Sequence, residues 1–186
     1  MIIKGKILGL DRSNIDTDQI IPARYLTGIS KTGYGIHLLE DVPGTPMSDQ
    51  KYKDAAILLT KENFGSGSSR EHAVWAITDR GFKAVIAVSF ARIFEENCYN
   101  NALVPVKLKQ DEVEKLFKET ECEIDVINQI VKSNQNTFTF DLDPLKKEFI
   151  LKGGFLKFME SKIQTVKNWE KKQNQSMAFT STVIGS

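Results

Sequence analysis

Two short, uninterrupted apolar runs bracket a segment of helical period, and this arrangement restricts the fold more than anything else in the chain. AAILLT (55–60) and AVIAVS (84–89) suit strands covered on both faces. Between them SREHAVWAITDRG reads as a helix ending at Gly81, a residue suited to a left-handed C-cap. Strand, helix and strand at this spacing make a βαβ unit with a right-handed crossover. The connection that enters the helix, ENFGSGSSREH, therefore lies at the carboxyl end of a parallel strand, where open α/β sheets bind ligands.

The rest of the chain is read around that unit. Residues 3–8 alternate as a strand, and DRSNIDTDQIIPARYL brings Asp, Asn and Ser into a polar turn. Residues 27–54 hold four Gly and two Pro with little apolar periodicity, which predicts a long, partly mobile loop with a short helix near 37–40; such loops tend to be functional. FARIFEENCYNN and QDEVEKLFKET suit helices, LVPVKL a strand, and CEIDVINQIV and TFTFDL strands of a half-exposed antiparallel sheet. FLKFMESKIQTVKNWEKK places Phe155, Met159, Ile163, Val166 and Trp169 on one helical stripe. The expected architecture is α/β: a parallel βαβ core plus a smaller antiparallel sheet in one domain over 1–172, with a flexible tail over 173–186.

Charge and cysteine content limit the partners. Lys and Arg number 25 against 24 Asp and Glu, so no global field draws in nucleic acid or an anionic membrane. The start, MIIKGKILGL, is interrupted by Lys4 and Lys6, and no apolar run reaches bilayer length, so a cytoplasmic protein is expected. Cys98 and Cys122 are far apart and form no CxxC pair, which predicts reduced, packed thiols.

The glycine-serine loop fits neither common phosphate motif. A P-loop needs a Lys that is absent here, and Arg70 stands where a dinucleotide fingerprint requires its third Gly. What is present suits an oxyanion: Gly65 and Gly67 allow close backbone approach, Ser68 or Ser69 stands at a helix N-terminus, and Arg70 offers a planar fork to a carboxylate or phosphate. Ser68 and Glu71 also have the spacing of a capping box. Glu71 and His72 are either braces behind such a site or plain helix surface.

GSGSSREHAVWAITDRGFKAVIAVSFARIFEENCYNNALVPV, preceded by NIDTDQIIPARYL, resembles the swivelling domain of the aconitase superfamily in two separate motifs over residues 1–110; Val74 departs from the Pro common there. The resemblance implies a β/β/α swivelling fold like aconitase domain 4, in the form of a free-standing small subunit. It further implies a large partner subunit, in a heterodimer or higher assembly, that carries a 4Fe-4S cluster. The implied reaction is isomerisation of 2-isopropylmalate to 3-isopropylmalate by dehydration and rehydration, a hydro-lyase step of leucine biosynthesis. Substrates of homocitrate or citraconate type are the alternatives within the mechanism, and a non-enzymatic anion-binding module is the rival of another class.

A cluster needs three or four thiolates, so the two cysteines of this chain imply that metal and cofactor reside on the other polypeptide. Carried over by position, Ser68 corresponds to the base, and Ser69 and Arg70 correspond to ligands of a substrate carboxylate. Arg24 either reaches a carboxylate or serves the surface. Asp16, Thr17 and Asp18 either orient the partner's groups or cap structure, with Gly65, Gly67, Glu71 and His72 supporting the site. Tyr25, Leu26, Thr27 and Gly28 begin the segment 25–35 in which related enzymes read the substrate's substituent.

Overall fold

The computed structural model describes residues 1–26, 30–45, 47, 49–167 and 169, the side chain of Lys51 excepted. Its strands are β1 (Ile2–Gly9), β2 (Ile57–Leu59), β3 (Ala84–Ala87), β4 (Val104–Lys107), β5 (Glu121–Asp125), β6 (Ile130–Lys132) and β7 (Thr137–Thr139). They form a seven-stranded sheet in the order β4-β3-β2-β1-β5-β6-β7. β1 belongs to both halves: residues 7–9 pair parallel with β2, and residues 2–6 pair antiparallel with β5. The expected parallel core and antiparallel part are both present, joined through this one strand.

Alternation along the parallel strands divides the core in two. Ile7, Ile57, Leu59 and Ile86 face one side, where α4 (Gln110–Leu116) and α5 (Pro144–Lys152) pack through Val113, Leu116, Phe149 and Ile150. Leu8, Leu58 and Val85 face the other, against Ala73, Val74 and Ile77 of α2 (His72–Asp79) and Phe94 and Cys98 of α3 (Arg92–Asn100). Strands buried on both faces explain why β2 and β3 carry no polar alternation. A four-residue helix, α1 (Thr17–Ile20), follows β1.

The structure corrects or sharpens the sequence reading at four places. Residues 122–131 are not one strand but the hairpin β5–β6: Asp125 accepts the backbone N–H groups of Ile127 and Asn128, and Gln129 turns with φ +57°. Residues 144–152, read as no element, form α5, with Asp143 as N-cap, Pro144 in the first turn and Gly153 in the left-handed conformation after its end. Within 27–54, read as a partly mobile loop with a short helix near 37–40, a single helical turn forms at Gly35–His37, and Tyr34, Leu38, Leu39 and Val42 are buried in the α2 side of the core. Finally, the C-terminal stripe lies on a helix as read, and that face is largely exposed. Residues 155–167 are helical, but Phe155, Met159, Ile163, Val166 and Trp169 are 39–62% exposed, and Phe158 makes the buried contact instead. The tail 173–186 lies outside the described residues.

Asp143 Oδ1 accepts the N–H groups of Leu145 and Lys146, at 2.9 and 3.0 Å. Asp143→Ala is expected to lower unfolding free energy by about 1 kcal/mol in urea denaturation; an unchanged midpoint would show that α5 is held by packing alone.

Candidate active site

Parallel pairing sends the chain out of β1 and β2 at the same edge of the sheet, and the two motifs meet there. The contact continues past the strands as an isolated parallel bridge between Asp16 and Ser66. Ile15 O accepts the Gly65 N–H at 2.7 Å, and Ser66 O accepts the Thr17 N–H at 2.8 Å. Thr17, itself buried, accepts the Ser68 N–H on Oγ1 at 3.2 Å. Asp16 and Gln19 close a reciprocal capping box on α1, which fixes the turn from which Thr17 and Asp18 project.

Both loop glycines are required by geometry. Gly65 has φ +79°, and a Cβ there would enter the ring of Phe94; Gly67 has φ +91° beside Thr17. This backbone also decides where α2 starts. The helix begins at His72 with Glu71 as N-cap, and no side-chain cap bond is made, so the capping box read into Ser68 and Glu71 does not form. Ser68 instead belongs to a tight turn in which its carbonyl accepts the Arg70 N–H at 2.8 Å.

Ser68 and Ser69 are exposed, and neither hydroxyl bonds to another described residue. Arg70 is half-buried and ion-pairs with Asp18 through Nη1 alone among its nitrogens, which leaves the rest of its donor fork for an anion. The positive end of α2 points toward the same place. Two hydroxyls, a braced guanidinium and a helix N-terminus thus share one exposed edge, a surface suited to a carboxylate-bearing ligand.

Comparison with known proteins bears on this edge directly. The aconitase C-terminal domain profile matches residues 1–111, which contain both motifs. The 3-isopropylmalate dehydratase small subunit of Anoxybacillus flavithermus is 45% identical over 168 residues, covering 82% of this chain and 87% of its own. That of a Geobacillus species is 44% identical over 165 residues, covering 81% and 84%. The crystal structure of 3-isopropylmalate dehydratase from Methanocaldococcus jannaschii superposes with a TM-score of 0.76 at 33% identity, over 90% of this chain and 99% of that one. The chain belongs to the 3-isopropylmalate dehydratase small-subunit family.

In this family member the remaining expected site residues are placed as follows. Glu71 Oε1 accepts from the Asn101 amide at 2.7 Å, and His72 packs against Tyr34 and Trp75, so the N-cap and the first residue of α2 stand beside the loop. Arg24 forms a bidentate pair with Asp41 and a further bond to Glu40; these contacts raise its pKa and hold Asp41 low. Tyr25 stacks on His37 at 3.5 Å and donates to Glu40, whose carboxyl is held low by His37 first and Tyr25 second. Leu26 packs on the α2 side of the core, while Thr27 and Gly28 lie outside the described residues.

The two cysteines are not placed to share an iron-sulfur cluster. Cys98 and Cys122 are buried in separate cores on opposite sides of the sheet. Burial pushes the Cys98 thiol well up and Cys122 to about 12, against thiolate formation. Among the described residues no group of three or more His, Cys, Asp or Glu is arranged to hold a metal, and no helix is long and apolar enough to cross a membrane. The sequence reading missed Asn101, a hub that contacts Glu71, Trp75 and Lys31. Only tertiary contact reveals it.

Thr17→Val keeps the shape of the buried side chain but removes the acceptor of the Ser68 N–H. Urea denaturation of the isolated chain is expected to show a loss of about 1 kcal/mol or more, and a stability equal to wild type would mean that this bond does not hold the loop.

Proposed function

We propose that this chain is the small subunit of a 3-isopropylmalate dehydratase, which interconverts 2-isopropylmalate and 3-isopropylmalate in leucine biosynthesis only when joined to a larger, cluster-bearing subunit. The observation that carries this reading is the stitching of the 65–70 loop to the 16–18 turn, which sets Ser68, Ser69 and Arg70 together on an open edge. A module that merely binds phosphate needs no such second motif. The membership of the family and the length covered support the same reading.

The work assigned to this chain is binding and proton transfer. Arg70, braced by Asp18, grips a substrate carboxylate through its remaining donors, with Ser69 beside it. Ser68 Oγ takes the proton from the carbon next to the one that bears the hydroxyl; the C–H electron pair becomes the double bond and hydroxide departs. Rehydration of the same double bond with the opposite regiochemistry gives the isomer. The electrophile that makes hydroxide a leaving group is assigned to the 4Fe-4S cluster of the partner, since no donor set for it is found among the described residues.

Exposure of Ser68 is the reason the chain needs its partner. A serine oxygen basic enough for this step is neutralised by bulk water, so the site must be closed before Ser68 can act. The segment 25–35 is assigned to reading the isopropyl substituent. Its Tyr34 ring lies 5.4 Å from His72, two residues beyond Arg70.

The purified chain alone is expected to show no isomerase activity and to gain it when mixed with its cluster-loaded partner; activity of the isolated chain would overturn the assignment. In the reconstituted pair Ser68→Ala is expected to assemble normally yet reduce turnover by roughly 10²-fold or more. Turnover near wild type would pass the base to another group.

A further inference from the structure

An acid in the last turn of a helix is poorly placed, because the negative end of the macrodipole repels it. Asp79 occupies that position in α2, and no basic residue lies in the same turn. Its compensation is unusual in form: one carboxylate oxygen, Oδ2, accepts the backbone N–H groups of both Gly33 and Gly35, each at 2.8 Å. The arm 33–35 is thereby clasped to the end of α2 opposite the Ser68-Ser69-Arg70 turn. Contact is close enough that a Cβ on Gly35 would stand 2.5 Å from Arg80 N and 2.7 Å from the Asp79 carbonyl carbon. Gly33, at φ +96°, supplies the bend that brings two amides onto one oxygen.

The other end of α2 is tied to the same arm. Asn101 Oδ1 accepts from Lys31 Nζ at 2.9 Å and from Trp75 Nε1 at 3.1 Å, while its Nδ2 donates to Glu71 Oε1 at 2.7 Å and to Asn97 O at 2.9 Å. All four hydrogen-bonding positions of the amide are used, which fixes its orientation. Between the two ties the Tyr34 ring packs on His72 and Trp75. The arm 31–35 therefore runs along α2, a strut of about 12 Å, with Arg70 just beyond one end and Asp79 at the other.

We propose that Asp79 is a specificity-determining positioning residue: by clasping Gly33 and Gly35 to α2 it sets the distance between the substituent-reading arm and the carboxylate-gripping Arg70. The inference rests on the proposed isopropylmalate chemistry for its substrates, but the clasp itself does not. The role proposed for Asp79 requires no contact with substrate, since its carboxylate is engaged by Gly33 and Gly35. Its effect is on where the arm stands relative to a carboxylate that is already held, so selection among substituents depends on it more than the chemical step does.

The test compares wild type, Asp79→Ala and Asp79→Asn, each reconstituted with the cluster-loaded partner, on 2-isopropylmalate and its smaller methyl analogue 2-methylmalate. Asp79→Ala is expected to raise KM for 2-isopropylmalate and to reduce the preference for it over the methyl analogue by ~10-fold, with kcat changed less than KM. Asp79→Asn, which can keep an oxygen facing the two amides, is expected to restore most of the preference. A merely structural role predicts equal losses on both substrates, and that result, or an undiminished preference in Asp79→Ala, overturns the proposal. Amide hydrogen exchange at Gly33 and Gly35 in the isolated chain provides an arm independent of activity. Faster exchange in Asp79→Ala than in Asp79→Asn is expected, and equal protection in all three proteins refutes the clasp. If wild type turns over neither substrate, the proposed function falls while the exchange measurement still decides the clasp.

Discussion

The parallel register of β1 on β2 is the constraint on which the site depends. With Ile7 opposite Ile57 and Gly9 opposite Leu59, the chain leaves both strands at one edge, and the turn at 16–18 and the loop at 65–70 have to meet. The register is set by burial: Leu8 and Leu58 face one core, and Ile7, Ile57 and Leu59 face the other. A slip of one residue would reverse every one of these side chains. The apolar runs that hold the sheet together are thus also what aligns Thr17 with the Ser68 amide and Asp18 with Arg70.

The sequence and structure agree where local pattern and tertiary burial demand the same thing. The unit β2–α2–β3 was legible because its strands are covered on both faces and its helix ends at a glycine with φ +111°. α5 carried equally readable signals in Asp143, Pro144 and Gly153, yet its lysine-rich sequence shows little amphipathic contrast. The β5–β6 turn was hidden because VINQ contains no glycine or proline, and Asp125 supplies the turn by bonding to the backbone. Residues 30–45 lacked period for a related reason: Tyr34, Leu38, Leu39 and Val42 are buried by irregular backbone that keeps no regular spacing.

Within the candidate site, residue types were legible and their partners were not. Gly65, Gly67, Ser68 and Arg70 could be singled out from spacing, but the seat of Ser68 depends on Thr17, fifty-one residues earlier in the chain. That long-range bond, with the positive φ of Gly67, defeats the local preference of Ser68 for capping α2. Arg24 is a parallel case, since its pairing with Asp41 and Glu40 across the base of the 25–35 segment appears only when the chain folds back. The cysteines were informative in sequence and in structure alike: two thiols on opposite sides of the sheet cannot share a cluster.

The structure sets Arg70, paired with Asp18, and two exposed serines on one edge, which the proposed function reads as half of an active site. A structure of the assembled pair with 2-isopropylmalate bound tests this most directly. The expected result places Arg70 in a pair with a substrate carboxylate and Ser68 Oγ about 3 Å from the carbon that loses its proton, with the substrate hydroxyl turned toward the partner. Substrate held wholly by the partner, with Ser68 and Arg70 still open to solvent, would contradict it.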